Sequence, residues 1–128
     1  MSGYSINIVE KALQNPHFRQ VLHTTPRSQL VVMTLQPGEE IGLEKHADHD
    51  QFIRVEAGSG QAILDGEVHA LEDGVAVVIP AGTEHNVINT STSETMRLYT
   101  IYTPPEHPDG IVHETKAIAD EYEKTHHG

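Results

Sequence analysis

The sequence predicts an all-β fold, a sandwich or closed barrel with a short helix at each end. Three observations carry that expectation. β-forming residues come in short runs, turn dipeptides separate the runs at intervals of about eight to twelve residues, and strands do not alternate with helical stretches as a parallel sheet requires. The chain has 128 residues, enough to bury roughly two-thirds of the surface its unfolded form exposes, so a single domain is expected.

Asn7-Ile-Val-Glu10 has the form of a helix start, a capping side chain with an acid three residues later. The helix should run to about Gln14 and stop at Asn15-Pro16, because the residue before proline is pushed out of the helical region. Strands are then expected over Phe18–Thr24 and Gln29–Gln36, flanking the turn Thr25-Pro26-Arg27-Ser28. Glu44–His46 reads as a short strand ahead of the acidic loop Ala47–Asp50. Gln51–Ala57 and Gly60–Leu64 follow, and Asp65-Gly66 is a hairpin signal leading into Glu67–Leu71. Val75–Ile79 is a continuous apolar run, the pattern of a strand buried on both faces, and it stops at Pro80-Ala81-Gly82. His85–Asn89 and Met96–Thr103 complete nine strands. Phe52, Ile53, Val55, Ile63, Val77, Ile79, Val87, Leu98 and Ile101 are the expected lining and core. The proline-rich segment from Pro104 to Gly110 cannot join a ladder and is expected to cross the surface. Lys116–Thr125 closes the chain as a helix packed outside the barrel. In this division the barrel core spans about 18–103 and the C-terminal loop and helix 104–128.

Composition excludes several function classes. Cysteine is absent, which removes disulfides, thiolate metal sites and cysteine nucleophiles and suits a reducing cytoplasm. The formal net charge is -11, with only eight Lys and Arg, so neither nucleic acid nor an anionic membrane is an expected partner. Met1–Gln20 has no apolar run of leader length, and no segment approaches the ~20 apolar residues of a membrane span. The expected protein is soluble and cytoplasmic, with a small molecule as its ligand. Ten histidines point to metal only where their spacing supports it, and His126 and His127 are set aside as a terminal tail.

That spacing occurs between Pro37 and Gly60. Residues two apart on a strand share a face, so Glu44 and His46 point one way while Lys45 faces solvent. Gln51 follows across a short loop, and His85, after the turn at Pro80-Ala81-Gly82, can join them from another strand. The glycine of that turn allows a conformation barred to other residues. Two imidazoles, one carboxylate and one amide oxygen would then face one point.

Here the sequence resembles the cupin superfamily, small single-domain cupins in particular, through two motifs. Gly38, Glu44, His46, Gln51 and Gly58 keep the spacing of the first, a glycine, five residues, His-x-His, three or four residues, Glu, six residues and Gly. Gly74, Pro80, Gly82, His85 and Asn89 match the second without gaps. The departures are Glu44 at the usual first histidine and Gln51 at the usual glutamate, an exchange that moves the one carboxylate but keeps the ligand charge. The resemblance implies a jelly-roll β-barrel and one divalent metal ion per chain, held by Glu44, His46, Gln51 and His85. Two histidines and a carboxylate suit Zn, Mn, Fe, Ni or Co better than soft Cu(I). The mixed ligand set is also similar to phosphomannose isomerase-like cupins, a likeness of site and fold only.

The resulting function is expected to be that of a metal-dependent enzyme on a small oxygen-rich substrate, a sugar or hydroxy-carbonyl compound, by isomerase-like or dioxygenase-like chemistry. The alternatives are a non-catalytic sensor or storage module and an empty site kept for structure. Tyr102 and His107 are the expected substrate contacts at the barrel mouth, with Tyr99 and His113 nearby. Arg54 and Arg97 would touch an anionic substrate only if they face inward, and surface ion pairs are the expectation. His49, with Asp48 and Asp50, fits no motif position and reads as solvated loop. A homodimer is expected, because small cupins commonly pair exposed edge strands, with the N-terminal segment as the exchanged element.

Overall fold

A computed structural model describes residues 3–126; His127 of the expected tail lies outside the described residues. Its elements are α1 (Ile8–Gln14), β1 (Arg19–Thr24), β2 (Gln29–Leu35), β3 (Glu44–Lys45), β4 (Asp50–Ala57), β5 (Gly60–Leu64), β6 (Glu67–Leu71), β7 (Ala76–Ile79), β8 (Glu84–Ile88), β9 (Met96–Thr103), β10 (Val112–His113) and α2 (Lys116–His126). Two antiparallel sheets face each other in a jelly-roll sandwich, one ordered β10-β1-β2-β9-β4-β7 and the other β3-β8-β5-β6. No helix among the described residues is long and apolar enough to cross a membrane.

The alternation expected of half-buried strands is plain in β9, where Met96, Leu98, Thr100 and Tyr102 point inward and the residues between them do not. Val31, Met33 and Leu35 of β2, Ile53 and Val55 of β4, Ile79 of β7 and Val87 of β8 meet them in the core. Phe52 and Ile101, expected in the lining, are paired across β4 and β9 on the outer face and only half-buried; Ile63 is likewise half-buried. β7 also departs from its reading. It is the edge of its sheet, with Val78 65% exposed, so its apolar run covers one face and not two.

β2 is buried on both faces because α1 lies across its outer side. Asn7 accepts the Glu10 N–H at 3.0 Å to start that helix, and Asn15 ends it. The Asn15 side chain donates to the Thr34 hydroxyl at 3.1 Å, while Arg97 donates to the Asn15 carbonyl at 2.6 Å. Beyond β9 the chain returns and adds β10 to β1, a tenth strand that the proline-rich segment concealed.

The first and second motifs are joined along their length. The Gly38 N–H donates to the Asn89 carbonyl, the Asn89 N–H to Glu39, the Ile41 N–H to Val87, and the Gly82 N–H to His46. Between these bonds lie the Glu40↔Ile88 bridge and the Glu44↔His85 pair. Asn89 is fully buried, and its amide nitrogen donates to the carbonyls of Leu35, Gln36 and Glu94 at 3.0, 3.2 and 2.9 Å. It stitches the end of β2 to the 90–95 loop. Gly58 closes the first motif at φ +96°, with the Thr95 carbonyl where a Cβ would project, so no other residue fits there without displacing backbone. Replacing Asn89 by Ala removes all three bonds and leaves the buried Leu35 carbonyl short of a donor, and the expected cost is about 2 kcal/mol, a fall of several degrees in Tm by thermal denaturation.

Candidate metal centre

The ladder between β3 and β8 places Glu44 directly across from His85. His46 comes next, its carbonyl held at 2.7 Å by the Gly82 N–H. Gly82 has φ +85°, a conformation that residues with side chains rarely adopt, so this anchor depends on glycine. Glu44 and His46 meet, with His46 Nε2 2.9 Å from Glu44 Oε2, and the His46 and His85 rings are 5.3 Å apart. Lys45 is exposed, as its place in the alternation requires. His85 Nδ1 lies 2.9 Å from the Thr83 carbonyl. A carbonyl can only accept, so that nitrogen carries the proton and Nε2 keeps a lone pair for a ligand bond.

Gln51 approaches from the opposite sheet, pointing inward between its ladder neighbours Ile79 and Tyr102. Its amide nitrogen donates to Thr100 Oγ1 at 3.0 Å. Its carbonyl oxygen Oε1 is buried with no hydrogen-bond partner among the described residues. Such an oxygen costs about 1–3 kcal/mol when left unmet. Gln51 hydrogen-bonds none of Glu44, His46 and His85; a cation between the sheets would satisfy it.

Two residues behind His46 were not expected there. The side chain of His49 is only 10% exposed, and its ring lies tilted against the His46 ring at 4.5 Å between centres. Glu106 Oε2 lies 2.6 Å from His49 Nε2 and 3.6 Å from His46 Nδ1. The His49 nitrogen makes no aligned hydrogen bond despite this approach. Ligand atoms of His46, His49 and Glu106 all lie within 4.8 Å of one another. The solvated-loop reading of this stretch therefore holds for Asp48, which is exposed, but not for His49. Asp50 has a structural task, accepting the Ala81 N–H at 2.8 Å.

Glu106 arrives through Gln29, which is buried at the start of β2. The Gln29 amide oxygen accepts the Glu106 and His107 N–H groups at 3.2 and 2.9 Å, and its nitrogen donates to the His107 carbonyl at 2.7 Å. The available sequence signal was Pro104-Pro105, which cannot extend the β9 ladder and turns the chain back over the barrel end. His107 Nε2 then lies 3.5 Å from the Tyr102 hydroxyl, so the two expected substrate contacts touch each other. Tyr99 faces Phe52 instead, at 6.3 Å between rings. Arg54 pairs with Glu56 at 3.3 Å and Arg97 serves Asn15, so neither enters the site.

Burial and charge sort these groups. Burial opposes the charge of Glu44, but the hydrogen bond and charge of His46, with Arg19 and His85 further out, outweigh it and hold the carboxyl below its usual range. The same bond to Glu44 is the largest influence on His46 and raises its pKa against burial, with the charges of Glu44 and Glu106 adding to the rise. His49 is lowered, first by burial and then by His46. Burial pushes His107 down to about 2 and pushes the Tyr102 phenol up, so both stay neutral. Each of Glu44 and His46 thus favours the charged form of the other, a negative carboxylate beside a positive imidazole.

Comparison with known proteins agrees with this architecture. Residues 31–102 match the Cupin domain family. A crystal structure of BH2720 from Bacillus halodurans superposes with a TM-score of 0.91 and 43% identity, covering 94% of this chain and 95% of that one. Uncharacterized protein L612 of Acanthamoeba polyphaga mimivirus is 46% identical over 112 residues, 85% of this chain and 70% of its own length. Protein YrkC of Bacillus subtilis is 45% identical over 122 residues, 91% of this chain but 65% of its own length. By its matched domain, its relatives and its two facing sheets, the chain belongs to the cupin family.

Proposed function

We propose that this cupin binds one divalent metal ion through Glu44, His46 and His85, with the Gln51 carbonyl oxygen as a further ligand, and uses it to hold a small oxygen-rich molecule. The observation that carries the reading is the buried, unmet Gln51 Oε1 on the sheet opposite Glu44, His46 and His85. When bound, the ion would supply a Lewis acid toward a carbonyl or hydroxyl oxygen, which suits isomerisation of a sugar or hydroxy-carbonyl compound, or dioxygen chemistry with iron. Thr83 fixes the His85 tautomer for ligation. Glu106 takes the corresponding place on the Nδ1 side of His46, a carboxylate that orients a ligand imidazole. Neutral Tyr102 and His107 form a wall that adds no charge.

The nitrogen, carboxylate and amide donors favour Fe(II), Mn(II), Co(II), Ni(II) or Zn(II). Elemental analysis of protein purified without a metal-affinity step is expected to find about one ion per chain. His46→Ala and His85→Ala should lose it, whereas His49→Ala and Glu106→Gln should keep it. Trace metal in the wild type would overturn the reading. Loss in His49→Ala and Glu106→Gln with retention in His85→Ala would move the ion to the His46, His49 and Glu106 group.

Binding requires the imidazoles to be unprotonated. Because Glu44 raises the His46 pKa above its usual 6.5, competition from protons begins above pH 6.5. Metal affinity measured by titration should already be falling with pH above 6.5 and should fall further below it, approaching about tenfold per unit for each proton displaced. An affinity flat through that region would remove His46 from the ligand set.

The homodimer belongs to the same proposal. It is supported by the N-terminal segment, where Tyr4, Ile6, Val9 and Leu13 are each about 40% exposed, an apolar set that a second copy would cover. Light scattering is expected to give twice the 14.1 kDa chain mass, and Ile6→Asp with Val9→Asp should return it to the monomer value. A monomeric wild type at micromolar concentration would refute it.

A further inference from the structure

Between the start of β1, the loop before β3 and helix α2 lies a cavity of about 280 Å³, with Phe18, Arg19, Glu44, Lys116, Asp120 and Glu123 in its wall. Arg19 is only 4% exposed. Its guanidinium rests 5.2 Å from the centre of the Phe18 ring, and Nη1 lies 3.3 Å from His113 Nδ1. Arginine only donates, so His113 accepts there and is a neutral imidazole, consistent with burial and then Arg19 lowering its pKa. That contact gives the positive charge no counterion, and Glu44, whose carboxyl Arg19 helps to hold below its usual range, is not in ion-pair contact with it. No carboxylate of the described residues forms an ion pair with Arg19, and its Nε is buried without a hydrogen-bond partner.

A buried cation is costly unless paired, and the cavity beside it has room for the partner. The other charges in the wall are accounted for. Lys116 holds Asp120 at 3.0 Å, Glu44 faces the metal centre, and Glu123 is itself engaged. A planar guanidinium with free donors matches a carboxylate in a two-bond fork. At ~30 Å³ per water in the liquid the cavity corresponds to roughly nine waters, the scale of a small organic acid.

We propose that Arg19 is a specificity-determining residue that receives the carboxylate of a small 2-oxo or 2-hydroxy acid, whose neighbouring oxygen is directed to the metal centre at Glu44. The second contact rests on the metal reading above; the first does not.

The test pairs acids with neutral counterparts on the purified protein, with metal content measured for every sample. Pyruvate and lactate are titrated calorimetrically against pyruvamide and lactamide, with inorganic phosphate as a further anion. The expected result is at least tenfold tighter binding of each acid than of its amide, weaker binding of phosphate than of pyruvate, and loss of the acid preference in Arg19→Gln. Arg19→Lys keeps the charge but not the fork and should retain part of the preference, and it serves if Arg19→Gln does not fold. Equal binding of acid and amide by wild type overturns the proposal, as does an Arg19→Gln variant that melts earlier but keeps the preference, because that is a purely structural arginine. Arg19-dependent acid binding in protein without metal would sustain the carboxylate site and sink the metal reading; full metal loading with no acid preference would do the reverse.

Discussion

The antiparallel seam between residues 38–46 and β8 is the constraint on which the rest of the site depends. β3 is a two-residue strand and could not hold a register alone. It is held because the segment before it is already fastened to β8 from Asn89 back to Val87, and because the Gly82 N–H takes the His46 carbonyl after it. The Asn86 side chain adds a bond from each end, accepting the Gly42 N–H at 2.9 Å and donating to Glu40 at 3.2 Å. A slip of one residue would turn Glu44 and His46 to solvent and bring Lys45 inward. The seam thus converts two distant sequence motifs into one set of facing side chains.

The exchange of residues within the first motif acquires a spatial meaning on this seam. Placing the carboxylate at Glu44 on β3, and an amide at Gln51 on β4, moves the negative charge from one sheet to the other. On β3 the acid sits beside His46 and opens toward the cavity that holds Arg19. On β4 the amide keeps a neutral oxygen in the barrel, and Thr100 fixes its orientation. One carboxylate remains, but it stands on the sheet whose cavity α2 walls.

Much of this was legible in the sequence, and the limits have physical causes. Nine strands, the α1 cap and the placing of Glu44 across from His85 and beside His46 follow from period-two alternation and motif spacing, which are local. Spacing has no purchase on residues delivered by loops. His49 is in an acidic run that reads as solvated, and it turns inward because a loop imposes no alternation. Glu106 depends on a Gln29 side chain 77 residues away, and Gln29 itself looks like an ordinary polar strand end. Arg19 fails for a different reason. It begins a strand, where alternation allows either face, and a charged residue is assigned outward by default. Val75–Ile79 misled because an apolar run is common to doubly buried strands and to an edge whose outer face is open.

The C-terminal helix gains a role from the same residues. An eleven-residue helix is marginal alone, so α2 depends on what it lies against. The buried Ala119, and Tyr122 at 4.9 Å from the His113 ring, fasten it to the end of β10. β10 in turn is paired to β1 through Arg19↔His113, and the His113 imidazole touches the Arg19 guanidinium on one side and the Tyr122 ring on the other. The cation of the cavity and the helix that walls it therefore share one residue. An anion that settles Arg19 would also steady the imidazole on which α2 rests, so filling the cavity and holding its wall are coupled through His113. A helix expected to pack on the outside of the barrel also walls the cavity beside Arg19.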